Sequence, residues 1–135
     1  SFPTRRSSDL KLPEITNNSR FFISQRGCYS TFDIFINGEK VGVSKCKTIF
    51  YYDCKPGKYT ISFSGGALNE IGSLSVKIEQ SEKLYIELRR GFKNVQISGR
   101  RFTGQLYHYL YLYANEKQAL PNIQNLNFIG PKINE

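Results

Sequence analysis

The sequence predicts an all-β fold: an antiparallel β-sandwich of about seven to nine strands, with a short helical turn near the C-terminus. Three observations carry that expectation. Apolar and polar residues alternate with a period of two over most of the chain. Asn37-Gly38 and Lys55-Pro56-Gly57 supply turn chemistry between alternating runs. Nine Tyr and ten Phe, without Met or Trp, suit a pleated, half-buried surface better than a helix.

Taken in order, residues 11–19 contain Pro13 and two Asn and show no period, which predicts an N-terminal arm. Phe21, Phe22 and Ile23 open a first strand. The stretch Thr31–Phe63 then predicts a β-meander. Phe32, Ile34 and Ile36 share one face, and Val41 and Val43 return after the Asn37-Gly38 turn, with Gly42 marking a bulge or a close approach. In residues 48–54, Ile49 and Tyr51 oppose Phe50, Tyr52 and Cys54, which predicts a strand covered on both sides. Tyr59, Ile61 and Phe63 alternate with Thr60, Ser62 and Ser64, so that strand has one buried and one wet face.

Beyond Gly65-Gly66, residues 67–72 read as a loop. Leu74, Val76 and Ile78, followed by Leu84, Ile86 and Leu88 across Gln80-Ser81-Glu82, predict a second hairpin. Val95 and Ile97 add a further strand before the basic Gly99-Arg100-Arg101 turn. The run Leu106–Tyr113 places Leu106, His108, Leu110 and Leu112 on one face and Tyr107, Tyr109, Tyr111 and Tyr113 on the other. Leu120, Ile123 and Leu126 recur every three residues, which predicts one or two helical turns interrupted at Pro121. The expected core is Phe32, Ile34, Ile36, Val41, Tyr59, Ile61, Phe63, Leu74, Val76, Ile78, Leu84, Ile86 and Leu88.

Residues 1–10, SFPTRRSSDL, match codon for codon the translation of a widely used sequencing adapter. They are expected to be a disordered artefact that adds no strand, ahead of an arm (11–19), a single sandwich domain (20–126) and an extended C-terminal tail (127–135). On that reading the true N-terminus, with any signal or anchor, lies upstream. Without Arg5, Arg6 and Asp9 the charge changes only from +8 to +7 (17 basic against 10 acidic residues), so the basic character belongs to the domain itself. Such a surface attracts polyanions diffusely and in a salt-sensitive way. Its densest cluster is Arg89, Arg90, Lys93, Arg100 and Arg101, of which Arg89, Arg90, Arg100 and Arg101 form the candidate anion surface, set against the reading of scattered charges as a solvated face.

Cys28, Cys46 and Cys54 show no CxxC spacing, and His108 is the one histidine, so no zinc site is expected. If residues 48–54 form one strand, Cys46 and Cys54 lie on the order of 25 Å apart, beyond the disulfide limit of about 7 Å. Cys28 with Cys54 stays open, while the odd count favours buried thiols acting as small apolar side chains. No nucleophile and base sit in a recognisable relation, no Gly-rich phosphate loop is present, and no cofactor is expected. His108, between leucines, reads as a core or rim histidine. The row Tyr107, Tyr109, Tyr111, Tyr113 is the candidate ligand surface, since rings at every second position could stack on sugar, peptide or base; the competing reading packs them on a neighbouring layer. Nucleic acid is disfavoured for want of a binding motif.

Ile36-Asn37-Gly38-Glu39-Lys40-Val41-Gly42, Phe50-Tyr51-Tyr52 and Lys55-Pro56-Gly57-Lys58-Tyr59-Thr60-Ile61, continued by Ser73–Arg89, resemble the family called domain of unknown function 2846 and, more loosely, PEGA-type modules. The resemblance spans roughly Tyr29–Arg90. It departs at Lys55, where a first proline is common, at Cys46 in a turn usually polar or Gly, and at the Tyr-rich strand. It implies a small, non-enzymatic β-sandwich of bacterial envelope proteins and lipoproteins, lipid-anchored or periplasmic, with an envelope protein or polysaccharide as partner. It carries over no catalytic or ligand residue. The alternative is a glycan- or peptide-binding module that uses the tyrosine face.

Overall fold

The computed structural model describes residues 5–6, 12–97 and 99–129, the side chains of 5–6, 93–97 and 100–105 excepted. Expectations for residues 1–4, 7–11 and 130–135, and for the side chains of Lys93, Val95, Ile97, Arg100 and Arg101, lie outside that description. The strands are β1 (Arg5–Arg6), β2 (Ser19–Gln25), β3 (Phe32–Ile36), β4 (Glu39–Ser44), β5 (Thr48–Cys54), β6 (Gly57–Gly65), β7 (Glu70–Ile78), β8 (Lys83–Ile97), β9 (Arg100–Leu112) and β10 (Asn127–Phe128), with one helix, α1 (Glu116–Ile123). They form two sheets, β1-β10-β5-β2-β8-β9 and β4-β3-β6-β7. The all-β sandwich class is as expected. The larger sheet is mixed, however, because β2 pairs parallel with β8 and β10 pairs parallel with β5.

Alternation explains the layering. Phe21, Ile23, Phe50, Ile86 and Leu88 of the larger sheet meet Phe32, Ile34, Ile36, Ile61, Phe63, Val76 and Ile78 of the smaller one in a single apolar core. Every residue of the expected core lies in this cluster or packs against it, and Phe21, Ile23 and Phe50 join it. Asn37 (φ 51°) and Gly38 (φ 83°) both take the left-handed conformation that a tight two-residue hairpin demands. Opposite Ile34 and Phe35 the register skips Val41, which is a bulge. Next to it, a Cβ on Gly42 would stand 2.8 Å from the Phe50 ring, so the close approach is real as well.

Two predicted pairings are corrected. β5 does not continue a meander from β4: it leaves for the larger sheet and pairs with β2, while β6 returns to pair with β3. The reason lies in its two apolar faces. Only the larger sheet, which carries α1 on its outer side, covers both Phe50 and Tyr51. Likewise β7 and β8 are not a hairpin. β7 pairs with β6, and β8 crosses to lie between β2 and β9. Two strands with one apolar face each satisfy that face equally well as neighbours or across the core, so alternation does not choose between them.

Four smaller expectations also change. Residues 70–72 are already strand rather than loop, after a turn through Gly66 (φ 75°) and Asn69 (φ 50°). The run Val95–Ile97 is the far end of one long β8. The helix passes through Pro121 without interruption, losing only the hydrogen bond that the Lys117 carbonyl would accept. Its N-terminus is capped by the Asn115 side chain, which accepts from Gln118 N at 2.9 Å, and its buried Ala119 and Ile123 face Phe22, Ile49, Tyr51, Tyr85 and Tyr113. At the sheet edge β10 pairs with Arg5–Arg6, so part of the adapter-like segment does add a two-residue strand, contrary to expectation. The paired backbone groups are what the edge of β10 offers; the pairing asks nothing of the side chains.

Candidate functional site

The β8–β9 hairpin builds the candidate surface. Directly paired residues run from Ile86↔Leu112 through Gly91↔Tyr107, so the tyrosines of β9 stand beside Glu87, Arg89 and Gly91 of β8 on the outer face of the larger sheet. Exposure is graded along this row. Tyr113 lies under α1 at 4% exposure, Tyr111 and Tyr109 are half-buried, and Tyr107 is open at 39%. Adjacent rings touch: Tyr107 and Tyr109 have centroids 5.7 Å apart at 34°, and Tyr111 and Tyr113 are 5.1 Å apart, edge to face.

Glu87 organises the covered end of the row. Its carboxylate, 2% exposed, accepts from Arg26 Nε at 2.8 Å and Nη2 at 3.0 Å, from Arg89 Nε at 2.7 Å and from the Tyr113 hydroxyl at 2.9 Å. A buried carboxylate is tolerable only with partners of this kind. Arg89 also lies over the Tyr111 ring, 3.7 Å from its centroid, while Arg26 Nη1 reaches Asn122 Oδ1 at 3.0 Å and so ties the strand end to the helix. Burial alone would disfavour the Arg89 charge, but hydrogen bonds to Tyr113 and Glu87 outweigh it and push its pKa up. Burial raises the Tyr113 phenol as well.

The four tyrosines are therefore brought to one face, although only Tyr107 is exposed, with half-buried Tyr109 beside it and away from the Glu87 cluster. The proposed arginine cluster is split. Arg89 is engaged by Glu87, whereas Arg90 points to the opposite face, 4.6 Å over Tyr29 and 3.4 Å from His108 Nε2. Arg100 and Arg101 lie at the hairpin end, and their side chains are outside the described residues. His108 is a rim histidine: its ring packs 4.8 Å from Phe32, and its Nδ1 and backbone N–H both meet Glu70 at 2.9 Å. Among the described residues no group of three or more His, Cys, Asp and Glu could hold a metal ion.

Sequence reasoning missed Glu87, Arg26 and the disulfide. Cys28 pairs with Cys46, and Cys54 is the free, buried thiol, so neither the Cys28–Cys54 pair nor three reduced thiols is found. The bridge joins the β2–β3 connection to the β4–β5 turn, two segments whose proximity follows from β5 changing sheets. Burial pushes the Cys54 thiol up, away from reactivity.

A second concavity of about 750 Å³ opens between the N-terminal arm and α1. Its floor is the parallel stack of Phe22 on Tyr85, with centroids 4.7 Å apart. Arg20 in its wall is held by Asp53 in a two-point ion pair at 2.5 and 2.8 Å, and Tyr85 donates to Glu116 at 2.9 Å. Arg20, Tyr85 and Glu116 are thus engaged within the protein. No protein family, no curated protein and no solved structure matches this chain.

Proposed function

We propose that this chain is a non-catalytic β-sandwich interaction module of the bacterial cell envelope, of the kind represented by domain of unknown function 2846 and PEGA-like modules, working in an oxidising compartment. The observation that carries the reading is the Cys28–Cys46 bridge, whose two cysteines are both exposed. Disulfides persist where the surroundings oxidise and are reduced in the cytosol of ordinary bacteria, so an exposed structural bridge favours the envelope. The chemistry of the other reactive groups supports a binding role over catalysis. His108 is engaged by Glu70, and the Cys54 thiol is buried with its pKa raised.

The test is a thiol count on protein secreted to a bacterial periplasm, alkylated in denaturant before and after reduction. One alkylated cysteine, Cys54, is expected before reduction and three afterwards. Reduction should lower stability by roughly 3 kcal/mol, the loop-closure value for a bridge of this span. Three reactive thiols before reduction would overturn the reading.

A further inference from the structure

Tyr107 is directly opposite Gly91, and a Cβ built on that glycine would fall 2.5 Å from the ring carbon bearing the hydroxyl. The ring therefore leans flat across the strand onto a residue with no side chain. Its hydroxyl end packs there, and the residue as a whole keeps 39% of its exposure. Tyr109 continues the surface at 5.7 Å, and the Arg89 guanidinium, stacked 3.7 Å from the Tyr111 centroid, extends it towards the helix. An exposed ring is ordinarily mobile. This one is seated by Gly91 and by its neighbour, so a ligand stacking on it loses little ordering entropy.

Resting on the reading of the chain as a binding module, we propose that Tyr107 and Tyr109, seated by Gly91 and flanked by the Arg89–Tyr111 stack, form a platform for the sugar rings of an uncharged polysaccharide. The charge of the face selects that class. A polyphosphate would need free cations beside the rings. Among the described residues the two arginines beside the tyrosine row, Arg26 and Arg89, are both engaged by buried Glu87, Arg20 further along the face is held by Asp53, and Arg90 faces the other way. What is offered is a row of ring faces with phenolic hydroxyls at their edges. This matches a pyranose, which presents C–H groups on its face and hydroxyls around its rim.

The experiment is affinity electrophoresis of the full chain in gels containing hydroxyethylcellulose, galactomannan or laminarin, beside a gel-shift series with single-stranded DNA at low salt. The wild type should be retarded by at least one neutral polysaccharide. Tyr107→Ala or Tyr109→Ala should weaken the retardation about 5-fold each, and Tyr107→Phe should keep it, because the ring rather than the hydroxyl supplies the stacking. Gly91→Ala, which leaves every tyrosine in place but lifts the Tyr107 ring, should weaken it as well. Melting of Tyr107→Ala should match the wild type, so that lost retardation is not unfolding. Absence of retardation by all three polysaccharides, binding to DNA alone, or full retardation of Tyr107→Ala would each overturn the proposal. An intact Cys28–Cys46 bridge with no retardation would remove this inference and leave the envelope reading standing.

Discussion

The two faces of the larger sheet solve the same burial problem with different covers. Its inner face meets a whole second sheet, and the side chains there are apolar along the length of the sandwich: Phe21, Ile23, Phe50, Ile86 and Leu88. Among the described residues its outer face meets α1, about 12 Å of helix at 1.5 Å per residue, with Leu126 and Leu12 of the N-terminal arm beside it. Under the helix the face is apolar too, with Phe22, Ile49 and Tyr85. Where that cover ends, the residues change to Tyr109, Tyr107 and an Arg89 stacked on Tyr111. These types have large apolar bodies and polar tips and tolerate half-exposure. Glu87 sits at the boundary and pins the strand, the helix and the first covered tyrosine together. The lesson is that the candidate surface lies where the cover is too short.

If that division is right, the inner face should respond to lost volume and the outer face to lost charge. Ile61→Ala empties part of a core with no exposure and should cost about 2 to 5 kcal/mol in chemical denaturation. A near-neutral result would mean that the sheets do not face each other as described. Glu87→Gln keeps the shape but leaves Arg26 and Arg89 with a neutral partner, and should cost roughly 1.5 to 3 kcal/mol. Because Arg26 is largely exposed, water recovers part of its loss, which keeps the figure below that for breaking a fully buried pair. Equal tolerance of Gln and Leu at position 87 would show that the cluster is packing alone.

The sequence makes one half of this comparison legible and hides the other. Which residues face inwards can be read at Ile34, Ile61, Ile78 and Leu88, because a strand has period two and each of these runs has one polar side. Which strands pair cannot be read. Leu74–Ile78 and Leu84–Leu88 look like a hairpin, and the turn between them contains no residue that forbids one. The two apolar sides of residues 48–54 did signal a doubly covered strand, and that is why β5 leaves the smaller sheet. Glu87 gave no signal, since a glutamate alternating with Ile86 and Leu88 looks like any solvent-facing residue. Its burial is created by Tyr113, Arg26 and Asn122, all far from it in sequence. The tyrosine row was visible as a row; its grading from covered to open was not, because that depends on where the helix stops.

The cover itself can be loosened. Asn115→Ala removes the side chain that accepts from Gln118 N, and should cost about 1 kcal/mol, the ordinary value for a lost N-cap. The informative readout is hydrogen exchange. Protection of the Ala119 amide, which donates to Asn115 O, should fall, while amides of the β3–β6 pair should lose no more than the global stability change. Uniform loss across both sheets would mean that the helix is not a separate cover but part of the same cooperative unit as the core.

The smallest effect at neutral pH concerns the link from the covered face to the helix, the Tyr85 hydroxyl on Glu116. Tyr85→Phe removes a single hydrogen bond to an exposed carboxylate and should cost about 0.5 to 1 kcal/mol. Its signature lies at high pH. Burial, and then the hydrogen bond to Glu116, push the Tyr85 phenol up; burial likewise raises Tyr113, and raises Tyr59 to about 12. In the unfolded chain each phenol loses its proton near pH 10 or so. Above that pH the unfolded state therefore binds fewer protons than the native state, and stability falls as pH rises, in the case of Tyr59 until it too titrates near 12. The stabilisation from these neutral phenols is complete below about pH 10, and Tyr85→Phe removes one of the three groups responsible for its loss. Melting temperature plotted against pH should then fall less steeply above pH 10 in the variant than in the wild type. Parallel curves would show that Tyr85 already titrates as freely in the folded protein as in the unfolded chain.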